Sequence, residues 1–111
     1  MPHISVDPNI VTLINTFTTT PEHREQVMNI IGTVGPLASA APGWISASVH
    51  LSLDGSRIVN YVQWRSVADF EAFVADPRLQ AALASLQGIA EVDPRLYTVA
   101  HVTEPPGTST G

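Results

Sequence analysis

Residues 44–64 read WISASVHLSLDGSRIVNYVQW, and they carry the strongest structural signal in the chain. Two runs rich in β-branched and aromatic residues, 44–52 and 57–64, flank Asp54-Gly55, a dipeptide typical of β-hairpin turns. The sequence therefore predicts an antiparallel hairpin. Its second strand carries an amide, Asn60, among apolar residues, although burying an unpaired amide costs about 1–3 kcal/mol.

The length of the hairpin loop decides which residues share a face. A three-residue loop of residues 53–55 would pair Ser48 with Asn60 and His50 with Ile58, whereas a two-residue Asp-Gly turn would separate His50 from Asn60. We prefer the three-residue loop because it sorts the side chains into two distinct faces.

With that loop the two faces of the hairpin differ in character. The first face is nearly all apolar, and we expect it to pack against a second copy of the chain: it holds Ile45, Ala47, Val49, Leu51, Val59 and Tyr61. The second face mixes aromatic, aliphatic and small polar groups, as ligand cavities do: it holds Trp44, Ser46, Ser48, His50, Ile58, Asn60, Val62 and Trp64.

The rest of the chain completes a β-α-β-β-α-β order, the ferredoxin-like motif of the α+β class. The other predicted elements are a strand at 10–17, a helix from 21 to about 39, a helical stretch that starts after Ser66 and restarts at Asp76-Pro77, and a last strand at 95–104. This motif predicts a four-stranded antiparallel sheet in the order 4-1-3-2, with the helices on one face.

Asn15 lies near the end of the first strand. Because the first and third strands are antiparallel neighbours in the predicted sheet, that end should lie close to Asn60. Two amides would then converge inside the sheet, where each needs a partner in the other amide, a water or a ligand.

Composition narrows the function. The 111 residues suffice for one domain, predicted at 10–104 between an N-terminal arm (1–9) and a disordered tail (105–111). The net charge is −5 and the five basic residues are scattered arginines, which argues against nucleic acid. No cysteine is present, the four histidines show no metal-ligand spacing, and neither a targeting segment nor a membrane-length apolar run is seen, so we expect a cytoplasmic protein without a metal.

Four segments, LINTF, APGW, VNYVQW and SVADFEAF, give the chain a family resemblance over residues 10–104. It resembles the antibiotic-biosynthesis monooxygenases, which are small dimeric α+β barrels. Within that family it is similar to the cofactor-independent anthrone-type oxygenases of aromatic polyketide pathways. The resemblance implies a homodimer that uses dioxygen to oxidise an electron-rich, multi-ring phenol to a quinone, without flavin, haem or metal.

The resemblance also implies roles for single residues. Asn15, Asn60 and Trp64 would donate hydrogen bonds to the substrate oxyanion. Some members have a tyrosine and an arginine where this chain has Phe70 and Leu83, which leaves His50 as the candidate base on the predicted cavity face. The remaining candidates for contact with the substrate are Trp44, Ser48, Phe70 and, at the cavity mouth, Arg78.

Two other functions stay open. A haem-degrading relative would need a histidine on the second helix, and residues 66–87 contain none. A non-oxidative polyketide cyclase or small-molecule-binding barrel would consume no dioxygen.

Overall fold

A four-stranded antiparallel sheet carries three helices on one face in the computed structural model, which describes residues 6–106. The strands are β1 (Val11–Thr19), β2 (Trp44–Leu51), β3 (Arg57–Trp64) and β4 (Ala90–Tyr97). The helices are α1 (Arg24–Ser39), α2 (Val67–Val74) and α3 (Pro77–Ala84). The strand order β2-β3-β1-β4 is the predicted 4-1-3-2 order, so the ferredoxin-like α+β fold is confirmed. Residues 1–5 of the predicted arm and 107–111 of the predicted tail lie outside the described residues.

The start and the break of the second helical stretch follow the predicted signals. Ser66 caps α2 by accepting a hydrogen bond from the Asp69 backbone N–H at 3.1 Å. Asp76 caps α3 by accepting from the Arg78 backbone N–H at 2.8 Å, and Pro77 occupies the first turn. The helical stretch is therefore two short helices.

Two predicted boundaries are wrong. Helix α1 begins at Arg24 rather than at residue 21, because Thr20 does not cap it; the Thr20 hydroxyl instead bonds to Nδ1 of His23 at 3.1 Å. The last strand runs from 90 to 97 rather than from 95 to 104. Pro94 lies inside it, which is possible because β4 is an edge strand that pairs with β1 alone.

The hairpin register differs from the prediction by one residue. The loop closes with a hydrogen bond from the Ser52 N–H to the Arg57 carbonyl at 2.9 Å, so four residues (53–56) lie between this hydrogen-bonded pair. Gly55 takes the left-handed conformation, with φ of 76°, which glycine adopts without steric cost. Because the loop is one residue longer than predicted, the side chains of residues 46–51 lie on the opposite faces of the sheet from those predicted. A bulge between Trp44 and Ser46 cancels the shift, so Trp44 lies opposite Trp64 as predicted.

The sheet and the helices enclose two adjacent apolar clusters. One surrounds Trp64, which is 1% exposed, and includes Val11, Val62 and Phe73. The other surrounds Ile58 and Val27, both fully buried. Within residues 6–106, no helix is long and apolar enough to cross a membrane.

Candidate active site

A cavity of about 240 Å³ lies between the cavity face of the sheet and all three helices. Alternate residues of β1 and β3 form its sheet side: Leu13, Asn15, Phe17, Asn60, Val62 and Trp64. Apolar side chains of the three helices form the opposite wall, among them Ile30, Val34, Phe70, Phe73, Leu79 and Leu83. The predicted cavity between sheet and helices is therefore present.

Asn15 and Asn60 are direct cross-strand partners in the β1–β3 ladder. Both lie on the cavity face, so the predicted convergence of the two amides is confirmed in position. Each side-chain oxygen is buried, and neither has a hydrogen-bond partner among the described residues. Because such groups cost free energy when unpaired, this pair is available to a polar ligand atom or a water.

Trp64 completes the polar part of the cavity wall. Its indole Nε1 is buried and has no partner within the described part of the chain. The ring packs against two phenylalanines of α2. The ring centroids of Trp64 and Phe73 are 5.3 Å apart with the planes tilted by 31°, and Phe70 packs edge-on with its centroid 6.2 Å from that of Trp64. A buried, fixed N–H donor thus lies in the same wall as the two amides.

His50 and Ser48 lie on the opposite face of the sheet, which corrects two predictions. In the observed register they stand opposite Val59 and Tyr61, and the two side chains bond to each other at 3.1 Å. Val49 takes the place opposite Asn60 that was predicted for Ser48. The one-residue change in register separates His50 from the cavity, so it is not positioned as the predicted base.

Three other candidates have mixed outcomes. Phe70 lines the cavity, as expected, and so does Leu83. Trp44 packs against the Trp64 cluster but is not among the lining residues; its Nε1 is buried and has no described partner. Arg78 is exposed outside this cavity, where it pairs with Asp76 at 2.7 Å.

Two carboxylates at the starts of α2 and α3 are already paired. Hydrogen bonds from Arg65 and Ser66 hold the pKa of the Asp69 carboxyl below its ordinary value, and a hydrogen bond from Arg78 does the same to the pKa of Asp76. None of the residues that line the cavity within 6–106 is titratable, and no group of three or more potential metal-ligating side chains is found there. The cavity therefore offers two amide groups, an indole N–H and an apolar surface rather than a base.

Comparison with known proteins identifies the family. Residues 10–85 match the sequence model of the antibiotic biosynthesis monooxygenase family. The chain is 39% identical to tetracenomycin-F1 monooxygenase of Streptomyces glaucescens over 96% of its own length and 99% of that protein. The chain belongs to the antibiotic biosynthesis monooxygenase family. The predicted family and the predicted monooxygenase class of enzyme are thus confirmed.

Solved structures show the same fold at lower identity. SnoaB, a cofactor-independent oxygenase from Streptomyces nogalater, superposes with a TM-score of 0.78 at 18% identity, over 85% of this chain and 96% of SnoaB. Rv0793 from Mycobacterium tuberculosis superposes with a TM-score of 0.72 at 19% identity, over 86% of this chain and 97% of that one. The ferredoxin-like sheet with helices on one face is therefore shared with these proteins.

Sequence reasoning missed the β4 side of the site in this family member. Val92 and Pro94 line the cavity from β4, and Val92 is 37% exposed, which places this side of the cavity nearest to solvent. Val92 and Pro94 are two positions apart, so the period-two alternation of a strand places both on the same face. The sequence did not predict a strand here, because proline argues against a strand unless that strand lies at the edge of a sheet.

Proposed function

We propose that this protein is a cofactor-independent monooxygenase that oxidises an electron-rich, multi-ring phenol of the anthrone type to a quinone. The observation that carries the proposal is the pair of opposed amides, Asn15 and Asn60, in an otherwise apolar cavity. The 39% identity to tetracenomycin-F1 monooxygenase and the description of SnoaB as cofactor-independent support it.

The first role of the site is to stabilise the substrate anion. Loss of a proton from the ring methylene of an anthrone gives an enolate, whose charge lies largely on oxygen. The amide NH₂ groups of Asn15 and Asn60 and the indole N–H of Trp64 would donate hydrogen bonds to that oxygen. Because these donors act in an apolar cavity, they would favour the enolate more strongly than water does.

The proton itself would pass to water or be lost before binding. No described residue of the cavity wall is a base, and His50 lies on the other face of the sheet. The donors would instead lower the pKa of the bound substrate, since hydrogen bonds to a charged form favour that form.

The enolate would then react directly with dioxygen. Transfer of one electron gives superoxide and a substrate radical, which combine to a peroxide at the ring carbon. Loss of water from the protonated peroxide leaves the quinone carbonyl, so one oxygen atom enters the product and the other leaves as water. The aromatic and aliphatic walls around Trp64 would exclude bulk water from this step.

Oxygen uptake with 1,8-dihydroxy-9-anthrone tests the proposal. Chelator-treated protein should consume one dioxygen per quinone formed, well above the rate of spontaneous autoxidation. Asn60→Ala should lower kcat/KM by about 100-fold, the usual effect of removing one oxyanion donor. The matched control, Asn29→Ala, removes an exposed amide on α1 and should leave kcat/KM unchanged.

Two results would contradict this function. Oxidation no faster than autoxidation would exclude this substrate class, and conversion of the anthrone without oxygen uptake would favour a non-oxidative cyclase.

We also infer that the protein forms a homodimer through the face of the sheet that lies away from the helices. Ile14, Val59 and Tyr61 lie on this open face and are half-buried. On β2, however, the face carries Ser46, Ser48 and His50 rather than the predicted Ile45, Ala47, Val49 and Leu51. The inferred interface is therefore more polar than expected from the sequence.

The mass in solution tests the homodimer. Light scattering should give twice the mass of one chain. Val59→Asp should shift the protein toward the mass of one chain, because it places a carboxylate inside the inferred interface. Leu53→Asp, at the exposed tip of the hairpin, is the control and should leave the mass unchanged; a single-chain mass for the unmodified protein would contradict the homodimer.

A further inference from the structure

A second cavity lies beside the first. Its volume is about 250 Å³; it opens to solvent and is bordered by the end of α1, the turn at 40–42, helix α2 and the start of α3. Its apolar lining comes from Leu37, Ala40, Ala41, Pro42, Ala72 and Phe73. Of the described lining residues, Phe73 is the only one common to both cavities.

Phe73 therefore forms the partition between the two spaces. Its side chain is 9% exposed, and its ring packs against Trp64 at 5.3 Å. The same ring thus limits the first cavity on the side where Trp64 would meet a planar substrate. With about 240 Å³, the first cavity is below the roughly 300–1,000 Å³ of most small-molecule sites, so the position of this partition decides what fits.

The side chains that line the second cavity suit an additional ring of an aromatic ligand. Its charged groups are Asp69, Asp76 and Arg78. Asp69 is bonded to Arg65 and Ser66, and Asp76 to Arg78, so these groups satisfy one another. The remaining surface is made of apolar side chains, which suits an uncharged ring rather than an anion.

We propose that Phe73 determines how long a fused-ring system the active site accepts, and that the second cavity receives the extra ring when residue 73 is small. This inference rests on the proposed function for the identity of the ligand as a planar multi-ring phenol.

Binding of two quinones tests the proposal without turnover. The probes are 1,8-dihydroxyanthraquinone, with three fused rings, and 6,11-dihydroxy-5,12-naphthacenequinone, with four. Each Kd is measured from quenching of tryptophan fluorescence, since Trp64 lies in the cavity wall. The readout is the ratio of the four-ring Kd to the three-ring Kd.

The unmodified protein should give a ratio of about tenfold or more, the discrimination expected of an apolar pocket against an oversized ligand. In Phe73→Ala the ratio should fall to about threefold or less. Phe70→Ala is the matched control, because Phe70 also touches Trp64 but lines only the first cavity; it should change the ratio by less than about twofold.

A second change tests the other cavity. Adding Ala72→Leu to Phe73→Ala fills the second cavity from an exposed position of α2 and should restore a ratio of about tenfold. Phe73→Leu keeps an apolar side chain for folding and should give an intermediate ratio.

Equal shifts in Phe70→Ala and Phe73→Ala, or a ratio near one in the unmodified protein, would overturn the proposal. Failure of both quinones to quench the fluorescence would overturn it as well. The expected ratios without oxygen uptake on any anthrone would uphold the role of Phe73 and remove the proposed function. Oxygen uptake together with a Kd ratio that is the same in all variants would support the proposed function and overturn the role of Phe73.

Discussion

Two polar pairs in the same β1–β3 ladder have different surroundings. Asn15 faces Asn60 on the cavity face, and three residues away along β1, Thr12 faces Gln63 on the open face. Both pairs contain buried polar atoms without a described partner: the two asparagine oxygens in one, Thr12 Oγ1 and Gln63 Nε2 in the other. Only the asparagine pair lines the cavity.

The difference shows that an unpaired buried polar group does not by itself mark a site. Each pair costs free energy relative to apolar residues of the same shape. The asparagine pair has beside it the first cavity and the indole N–H of Trp64, so a ligand can offset that cost. The comparison therefore predicts that changes on the cavity face alter turnover, whereas changes at Thr12 and Gln63 alter stability.

The largest expected effect concerns the two tryptophans. Trp64→Phe keeps an aromatic ring but removes the donor, so kcat/KM for the anthrone should fall by about 100-fold. Its free energy of unfolding should fall by about 1 kcal/mol, because the smaller ring leaves a gap. Trp44→Phe also removes a buried, unpartnered Nε1, but outside the cavity, and should leave kcat/KM within about twofold. Equal losses of kcat/KM in the two variants would contradict a role in turnover for Trp64 that Trp44 does not share.

The next effect is on stability. Gln63→Leu and Thr12→Val remove buried groups without described partners, so each should raise the free energy of unfolding by about 1 kcal/mol in urea titrations. Turnover should be unchanged, because neither residue lines the cavity. A fall in turnover with either change would place function on the open face.

Acid unfolding should depend on a third group, the Asp54 carboxylate, which belongs to neither polar pair. Asp54 in the hairpin loop accepts bonds from the Ser56 N–H and from the Ser52 and Ser56 hydroxyls, which lower its pKa from 3.8 to about 2. A depressed folded-state pKa means stability that is present above pH 3.8 and is lost as the pH falls toward 2. Asp54→Asn should be less stable at neutral pH and lack this loss in acid. A parallel pH profile for the two proteins would contradict the role of this carboxylate.

The smallest effect is expected at His50. His50→Ala removes the one titratable side chain that the sequence suggested as a base, yet it lies on the open face. Steady-state assays should give kcat/KM within about twofold of the unmodified protein between pH 6 and 9. A loss of kcat/KM of about tenfold or more would contradict this and indicate that His50 takes part in the reaction.

The sequence predicted the elements that alternation and topology determine. The strand order followed from the order of the elements, and the meeting of Asn15 and Asn60 followed from the antiparallel pairing of the first and third strands. Side-chain alternation then placed Asn60 and Trp64 on the cavity face correctly.

The errors have local causes that a pattern of residue types does not contain. The hairpin loop has four residues because the Asp54 carboxylate bonds to serines on both sides of the turn, and that one-residue difference moved Ser48 and His50 to the other face. The position of β4 was predicted wrongly because Pro94 argued against a strand there. The bulge near Trp44 could not be predicted, because the alternation of residue types carries no sign of it.

The role of the two amides is tested by the double variant Asn15→Leu/Asn60→Leu, measured for both turnover and unfolding. If the two amides are kept for the substrate oxyanion, oxidation of the anthrone should fall to the spontaneous rate. The free energy of unfolding should stay the same or rise by about 1–3 kcal/mol, because two buried amide oxygens without described partners are removed. Turnover within about threefold of the unmodified protein, or a loss of more than about 3 kcal/mol of stability, would contradict the claim.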